Sequence, residues 1–268
     1  MALVNQKRGT GEETLSAVLI DGHNHVGGPD IIDRKAQSAA KIVCGLDAAG
    51  IDKAVIFPFN NPHPTEGFKS ANNYIAEAVA DFPSRLIGFG RVDPTNPAEA
   101  VPEVERISAD LNLGGIKLHP RAQKFMPDHR GLLAVLEKVS ELDLVVVFDS
   151  GSAYAPWPEM SELANKFPDT PVIMAHMRQG DYINAAKSAP NIYLGTTKVQ
   201  PELIVDAVKE IGADRIISGS DSPYVSNEAE INKIRSLDEL SESDKSYVLG
   251  LNMARVLRLQ ASPHAKVS

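Results

Sequence analysis

His23 and His25 stand two residues apart in AVLIDGHNHVGGPD, residues 17–30, where an apolar run ends and a Gly/Pro turn begins. Successive side chains of a strand point to opposite faces, so residues two apart share a face and lie about 6–7 Å apart. Two imidazoles on one face are ordinary ligands for Zn²⁺ or a similar divalent ion. The chain has seven histidines, and two more of them, His119 in LGGIKLH and His176 in PVIMAHM, also close apolar runs. Carboxylates join the set: Asp149 sits in LVVVFDS and Asp221 in RIISGSD. Three or four such ligands with one open position lower the pKa of a bound water to about 7 and turn it into a nucleophile. A single strand-end histidine usually serves structure, and an Asp before Ser-Pro is often only a turn. The joint placement carries the reading.

The elements that must position these groups are legible as an alternation. Eight short apolar runs, AVLIDGH, IDKAVIFPF, RLIGFGRVD, LGGIKLH, LVVVFDS, PVIMAHM, NIYLGTT and RIISGSD, are separated by segments of helical periodicity. The spacing is roughly thirty residues per strand–helix unit, that of a βαβ repeat. Near-continuous apolar runs fit strands covered on both faces. Eight units predict a parallel sheet closed into a (β/α)8 TIM barrel. An open doubly wound sheet would call for a Gly-rich phosphate turn after an early strand, and the chain has none. SDKSYVLGLNMARVLRL predicts a C-terminal closing helix. Residues 1–268 are expected to form one domain, with 1–15 and 260–268 as peripheral tails.

Barrel chemistry sits where strands exit toward the following helices. That end carries His23 and His25 on the first strand, Lys117 and His119 on the fourth, and Asp149 on the fifth. The sixth brings His176 and Arg178, and the eighth Asp221. Arg121 and Arg178 both follow strand ends, and Arg grips carboxylates in a planar fork, which predicts a small carboxylated substrate. Two long loops, PFNNPHPTEGFKS and SGSAYAPWPEM, share that rim. The second places Tyr154 and Trp157 where they could cover a substrate.

Composition excludes several classes. The net charge is −8 with no basic run, so nucleic acid is not an expected partner. The first residues lack the apolar core of a signal peptide, and no apolar stretch approaches the ~18 residues of a membrane span. A cytoplasmic enzyme acting on a small molecule is expected, with homo-oligomerisation left open. The single cysteine, Cys44, allows no internal disulfide and reads as a buried structural thiol in a helix spanning residues 33–50. H-E-x-x-H, G-x-S-x-G and P-loop patterns are missing.

DGHNHVG, GIKLHP, MAHMRQG, SGSDSPY and LGLNMARVLRL, in that order, resemble the amidohydrolase superfamily. The likeness is to its amidohydrolase 2 branch, which holds metal-dependent hydrolases and the aminocarboxymuconate-semialdehyde decarboxylase type. The resemblance implies one divalent metal ion, zinc first and manganese as the alternative. His23 and His25 would bind it. Asp221 would be both ligand and base toward the attacking water, and His176 would orient that water, polarise the substrate or join the ligands. Lys117 and His119 would lie at the floor and rim. One departure stands out: the branch usually ends its fifth strand with a metal-binding His, and this chain has Asp149 there. As a ligand, Asp149 would tighten the site but leave a bound water less acidic. The leading expectation is a metal-dependent hydrolase of a small carboxylated amide, ester or lactone. The alternatives are a metal-independent lactonase, of the pyrone-dicarboxylate type, and a non-oxidative decarboxylase.

Overall fold

The computed structural model describes residues 18–177 and 181–259. The two predicted tails and Arg178 lie outside the described residues. The strands are β1 (Ile20–Val26), β2 (Lys53–Pro58), β3 (Leu86–Gly88), β4 (Gly90–Arg91), β5 (Gly115–Leu118), β6 (Val145–Phe148), β7 (Val172–Met174), β8 (Ile192–Gly195) and β9 (Ile216–Ile217). All neighbours pair in parallel, β1 to β3 in one run and β4 to β9 in another. β3 and β4 are the two halves of the third expected strand, and Phe89 between them still donates its N–H to Ile56 O at 2.9 Å. The ring closes where β1 meets the chain beyond β9. Gly22 N donates to Ser218 O (2.8 Å), Asp221 N to His23 O (2.8 Å) and His25 N to Ser222 O (2.9 Å). This is the expected eight-fold parallel barrel.

The helices are α1 (Ala39–Ala49), α2 (Lys69–Asp81), α3 (Pro97–Ala109), α4 (Pro120–Gln123), α5 (Arg130–Glu141), α6 (Trp157–Lys166), α7 (Asp181–Ser188), α8 (Pro201–Ile211) and α9 (Asn227–Arg235). The periodic segments at 70–82, 128–142 and 201–212 fall on α2, α5 and α8 within a residue or two. α1 is the exception. It begins at Ser38, whose hydroxyl caps Lys41 N. The preceding residues are held instead by paired hydrogen bonds between Gly27 and Gln37. Cys44 is exposed, contrary to the expected buried thiol. The buried stripe of α1 runs through Ala39, Ile42 and Leu46, and a residue two places from its neighbours on a helix does not share their face.

The C-terminal segment is one helical path in three parts: α10 (Glu242–Ser246), a π-helical turn Tyr247–Leu251, and α11 (Asn252–Val256). Met253 and Val256 of α11 pack with Ile20, Val55, Val145 and Ile217, closing the lower end of the barrel. Gly250 permits this approach, because a Cβ there would lie 1.7 Å from Val18 O. Among the described residues no helix is long and apolar enough to cross a membrane.

β1 carries a bulge. Asp21 pairs with Ala54 but Asn24 with Ile56, three residues against two. The side chain of Ile20 points into the barrel with Val55 and Phe57. Strict alternation would then turn His23 and His25 outward. The extra residue reverses the parity, and both imidazoles lie edge-on to the inward ring of Phe57, at 4.6 and 4.8 Å between centroids. Asp21 and Asn24 face the other way. The buried Asp21 carboxylate accepts from His23 N (3.1 Å), Ser220 N (3.0 Å), Asn24 Nδ2 (3.0 Å) and Asn227 Nδ2 (2.8 Å), tying the bulge to the far side of the seam and to α9.

Asp21→Ala leaves these donors without their shared acceptor. It should destabilise the fold by about 3 kcal/mol or more. At roughly 2–4 °C per kcal/mol for a chain near this size, thermal unfolding should show a fall in Tm of several degrees. An unchanged Tm would mean the seam does not rest on this carboxylate.

Candidate active site

At the mouth of the barrel, His23 Nε2 and His25 Nε2 lie 3.4 and 3.1 Å from Asp221 Oδ1. All three side chains are buried, and one donor atom from each falls within 4.8 Å of the other two. Burial, with the charge of Lys117 nearby, pushes the His23 imidazole well below its ordinary pKa, and burial lowers His25 as well. Burial by itself would raise Asp221, but the two imidazoles outweigh it and hold the carboxyl well below the usual range. Neutral imidazoles facing an ionised carboxylate are the protonation states that metal binding requires. His23 Nε2 is also a buried atom without a properly aligned hydrogen-bond partner. The donor set therefore fits a divalent ion held by His23, His25 and Asp221. Asp221 has φ +64°, a left-handed conformation that Asp tolerates better than most residues. Its second oxygen, Oδ2, lies 2.5 Å from Lys198 Nζ.

A second cluster adjoins the first, with the His23 and His176 rings 5.7 Å apart. His176 Nε2 is 3.0 Å from Asp149 Oδ2, and His176 Nδ1 is 3.0 Å from Thr197 O. Both ring nitrogens thus face oxygen acceptors, so the ring can hold a proton on each side. His119 Nε2 lies 3.5 Å from the same Asp149 oxygen. Its Nδ1 accepts from Ala122 N at the start of α4, which leaves the hydrogen of a neutral ring on Nε2. Burial pushes His119 down to about 3. Asp149 is raised by burial, but His176, Lys117 and His119 together hold it well below the carboxylate range. Asp149 and His176, expected among the metal ligands, are not in the group of mutually close donors. They face each other instead.

The two clusters share a cavity of about 190 Å³. Its remaining wall is formed by Asp30, Asn60, Arg91, Arg121, Lys198 and Tyr224, among others. Arg121 is exposed at the rim. Lys117 is fully buried beneath, its Nζ 5.3 Å from the centre of the Phe57 ring. The structure corrects the placement of two residues expected to bind substrate. Tyr154 is exposed and Trp157 packs against the hydrophobic core; neither lines the cavity. The reason is local: Ala155 turns inward and Pro156 caps α6, which begins at Trp157. The loop after β1 covers the cavity instead, through Asp30, Ile32 and Asp33. Arg91, Lys198, Tyr224, Asp30 and Asn60 were not anticipated. Only Arg91 left a signal, as a charged residue two places after Phe89 in an otherwise apolar run.

Residues 20–259 match the protein-family model described as Amidohydrolase. A gamma-resorcylate decarboxylase of Polaromonas sp. (strain JS666 / ATCC BAA-500) is 25% identical, the match covering 73% of this chain and 78% of that protein. Among solved structures, the 5-carboxyvanillate decarboxylase from Sphingomonas paucimobilis superposes with a TM-score of 0.75 at 17% identity, over 91% of this chain and 100% of that one. A dihydroxybenzoic acid decarboxylase from Polaromonas sp. JS666, with bound manganese and the inhibitor 2-nitroresorcinol, gives 0.73 at 19% identity, over 90% and 97%.

His119 sets a pH dependence. Unfolded, its imidazole takes a proton near the ordinary 6.5; folded, it refuses one until about 3. Below pH 6.5 the unfolded chain therefore binds more protons, and stability falls as pH falls, by up to about 1.4 kcal/mol per pH unit from this group. Denaturant titrations across that window should show a shallower decline for His119→Gln than for the parent. Parallel declines would refute the assignment.

Proposed function

The chain belongs to the amidohydrolase family, and from that premise we propose that it is a metal-dependent decarboxylase of a small carboxylated aromatic acid. One observation carries the proposal: two neutral imidazoles and an ionised carboxylate converge across a small cavity from a second carboxylate and a histidine able to hold a proton. The names of the similar proteins point the same way, since all three are decarboxylases of hydroxylated aromatic acids. Hydrolysis, the leading expectation from sequence, fits less well. It would ask Asp221 to take a proton from water, yet this carboxyl is held well below its ordinary range and already faces His23, His25 and Lys198.

Decarboxylation makes the opposite demand. The bond between the carboxylate carbon and the ring breaks, its electron pair stays on the ring carbon, and that carbon takes a proton as CO₂ leaves. Nothing is oxidised or reduced. The proton must come from a group that holds one at the cavity wall, and His176, with Nε2 turned to Asp149, is placed to hold it. Asp149 fixes the ring on one side and Thr197 O on the other. Neutral His119 offers an N–H beside them, and Arg121 and Lys198 meet anionic substrate groups at the rim. A divalent ion on His23, His25 and Asp221 would supply fixed positive charge for substrate oxygens. Manganese is favoured by the related structure that holds it, and zinc is the alternative suited to imidazole donors.

Protein purified without added metal should carry about one manganese or zinc per chain by elemental analysis, the number expected of a single three-donor site. His23→Ala should lose nearly all of it. Incubation with 2,6-dihydroxybenzoate and related hydroxybenzoates should release CO₂. Asp149→Asn should slow that release by about 10²–10⁴-fold while keeping the metal. Faster turnover of esters or lactones than of any aromatic acid would return the assignment to hydrolysis, and full activity without metal would favour the lactonase type.

A further inference from the structure

Arg91, at the inward end of β4, is fully buried, yet Nε, Nη1 and Nη2 have no hydrogen-bond acceptor among the described residues. Its neighbours are committed elsewhere. Asp30 accepts from Ile32 N (2.8 Å) and Asn60 N (3.0 Å), and Asp149 accepts from His176. The Phe68 ring lies under the guanidinium at 5.7 Å. The backbone of Arg91 is clamped on both sides by the Asn72 amide, at 2.8 and 3.0 Å. The result is a rigid, unsatisfied five-donor fork in the cavity wall. Asp30 and Asp149 offset part of its charge, but buried N–H donors left without acceptors still cost free energy, so the arrangement is a poor device for stability.

We infer that Arg91 receives a second carboxylate of the substrate, one that is retained, so that the substrate is a compact diacid that loses one carboxylate and keeps the other. The planar fork matches a planar carboxylate. The retained group follows from the direction of charge flow, and that step rests on the decarboxylase reading above. As CO₂ forms, negative charge leaves the departing carboxylate. A fixed guanidinium gripping that group would stabilise the starting state more than the transition state and slow the reaction. A carboxylate that survives keeps its charge throughout, and gripping it costs nothing in the barrier.

The test uses inert ligands, so it does not depend on turnover. Isophthalate and benzoate differ by one carboxylate and lack the hydroxyl that activates the ring. By calorimetry on the metal-loaded protein, isophthalate should bind about 10–100-fold more tightly, the worth of a charge-assisted pair. Arg91→Met should erase the difference, and Arg91→Lys, which keeps the charge but not the fork, should keep only part of it. Equal binding of both acids by the parent, or an unchanged preference in both variants, would overturn the inference. So would inorganic phosphate binding as tightly as isophthalate, which would mark a general oxyanion site. If the preference holds but no aromatic acid is decarboxylated, the proposed function falls and the receptor stands.

Discussion

A single inserted residue in the first strand decides what the cavity contains. In an unbroken strand, the inward direction of Ile20 would oblige His23 and His25 to face the surrounding helices. The bulge between Asp21 and Asn24 reverses that direction, and the carboxylate of Asp21 holds the bulge by accepting from both strands of the seam and from Asn227 of α9. Bulges commonly re-aim side chains beside active sites. Here the device acts twice, since Asn24, which it turns outward, joins Asp21 in bonding the last strand to the first.

With the imidazoles inside, the charges fall into an ordered pattern. Cations and carboxylates alternate around the cavity, Lys198 against Asp221 and Arg91 between Asp30 and Asp149, while His176 bonds Asp149. Burial and the nearby cations keep His23, His25 and His119 neutral, while both aspartates stay ionised. This division, with neutral donors on one wall and a proton-holding pair on the other, is what separates a place for an ion from a place for a proton.

Much of this was legible before any coordinates. Eight apolar runs at regular spacing specify the barrel because parallel strands covered on both faces leave that trace and little else does. The convergence of His23, His25 and Asp221 was also legible, though for an incomplete reason: two residues apart means a shared face, but not which face. What escaped reading depends on contacts that leave no periodic mark. Lys198 and Tyr224 reach the cavity from irregular chain beyond β8 and β9, and no pattern distinguishes such residues from solvated ones. The Pro-rich stretch around Trp157 reads as a loop, whereas Trp157 opens α6 behind Pro156 at its N-cap. The apolar surroundings of Cys44 in sequence suggest burial, but its angular position on α1 sets it off the stripe of Ala39, Ile42 and Leu46.

The seam has a further consequence for how the molecule comes into being. Ser220 and Asp21, joined by a hydrogen bond, are 199 positions apart. His23 and His25 are made early in synthesis and Asp221 late, so the nascent chain holds two of the three candidate metal donors long before the third exists. An ion cannot seed assembly through this trio. An ion held there would only fasten a ring that has already met end to end, and its contribution would appear as resistance to reopening more than as speed of closing.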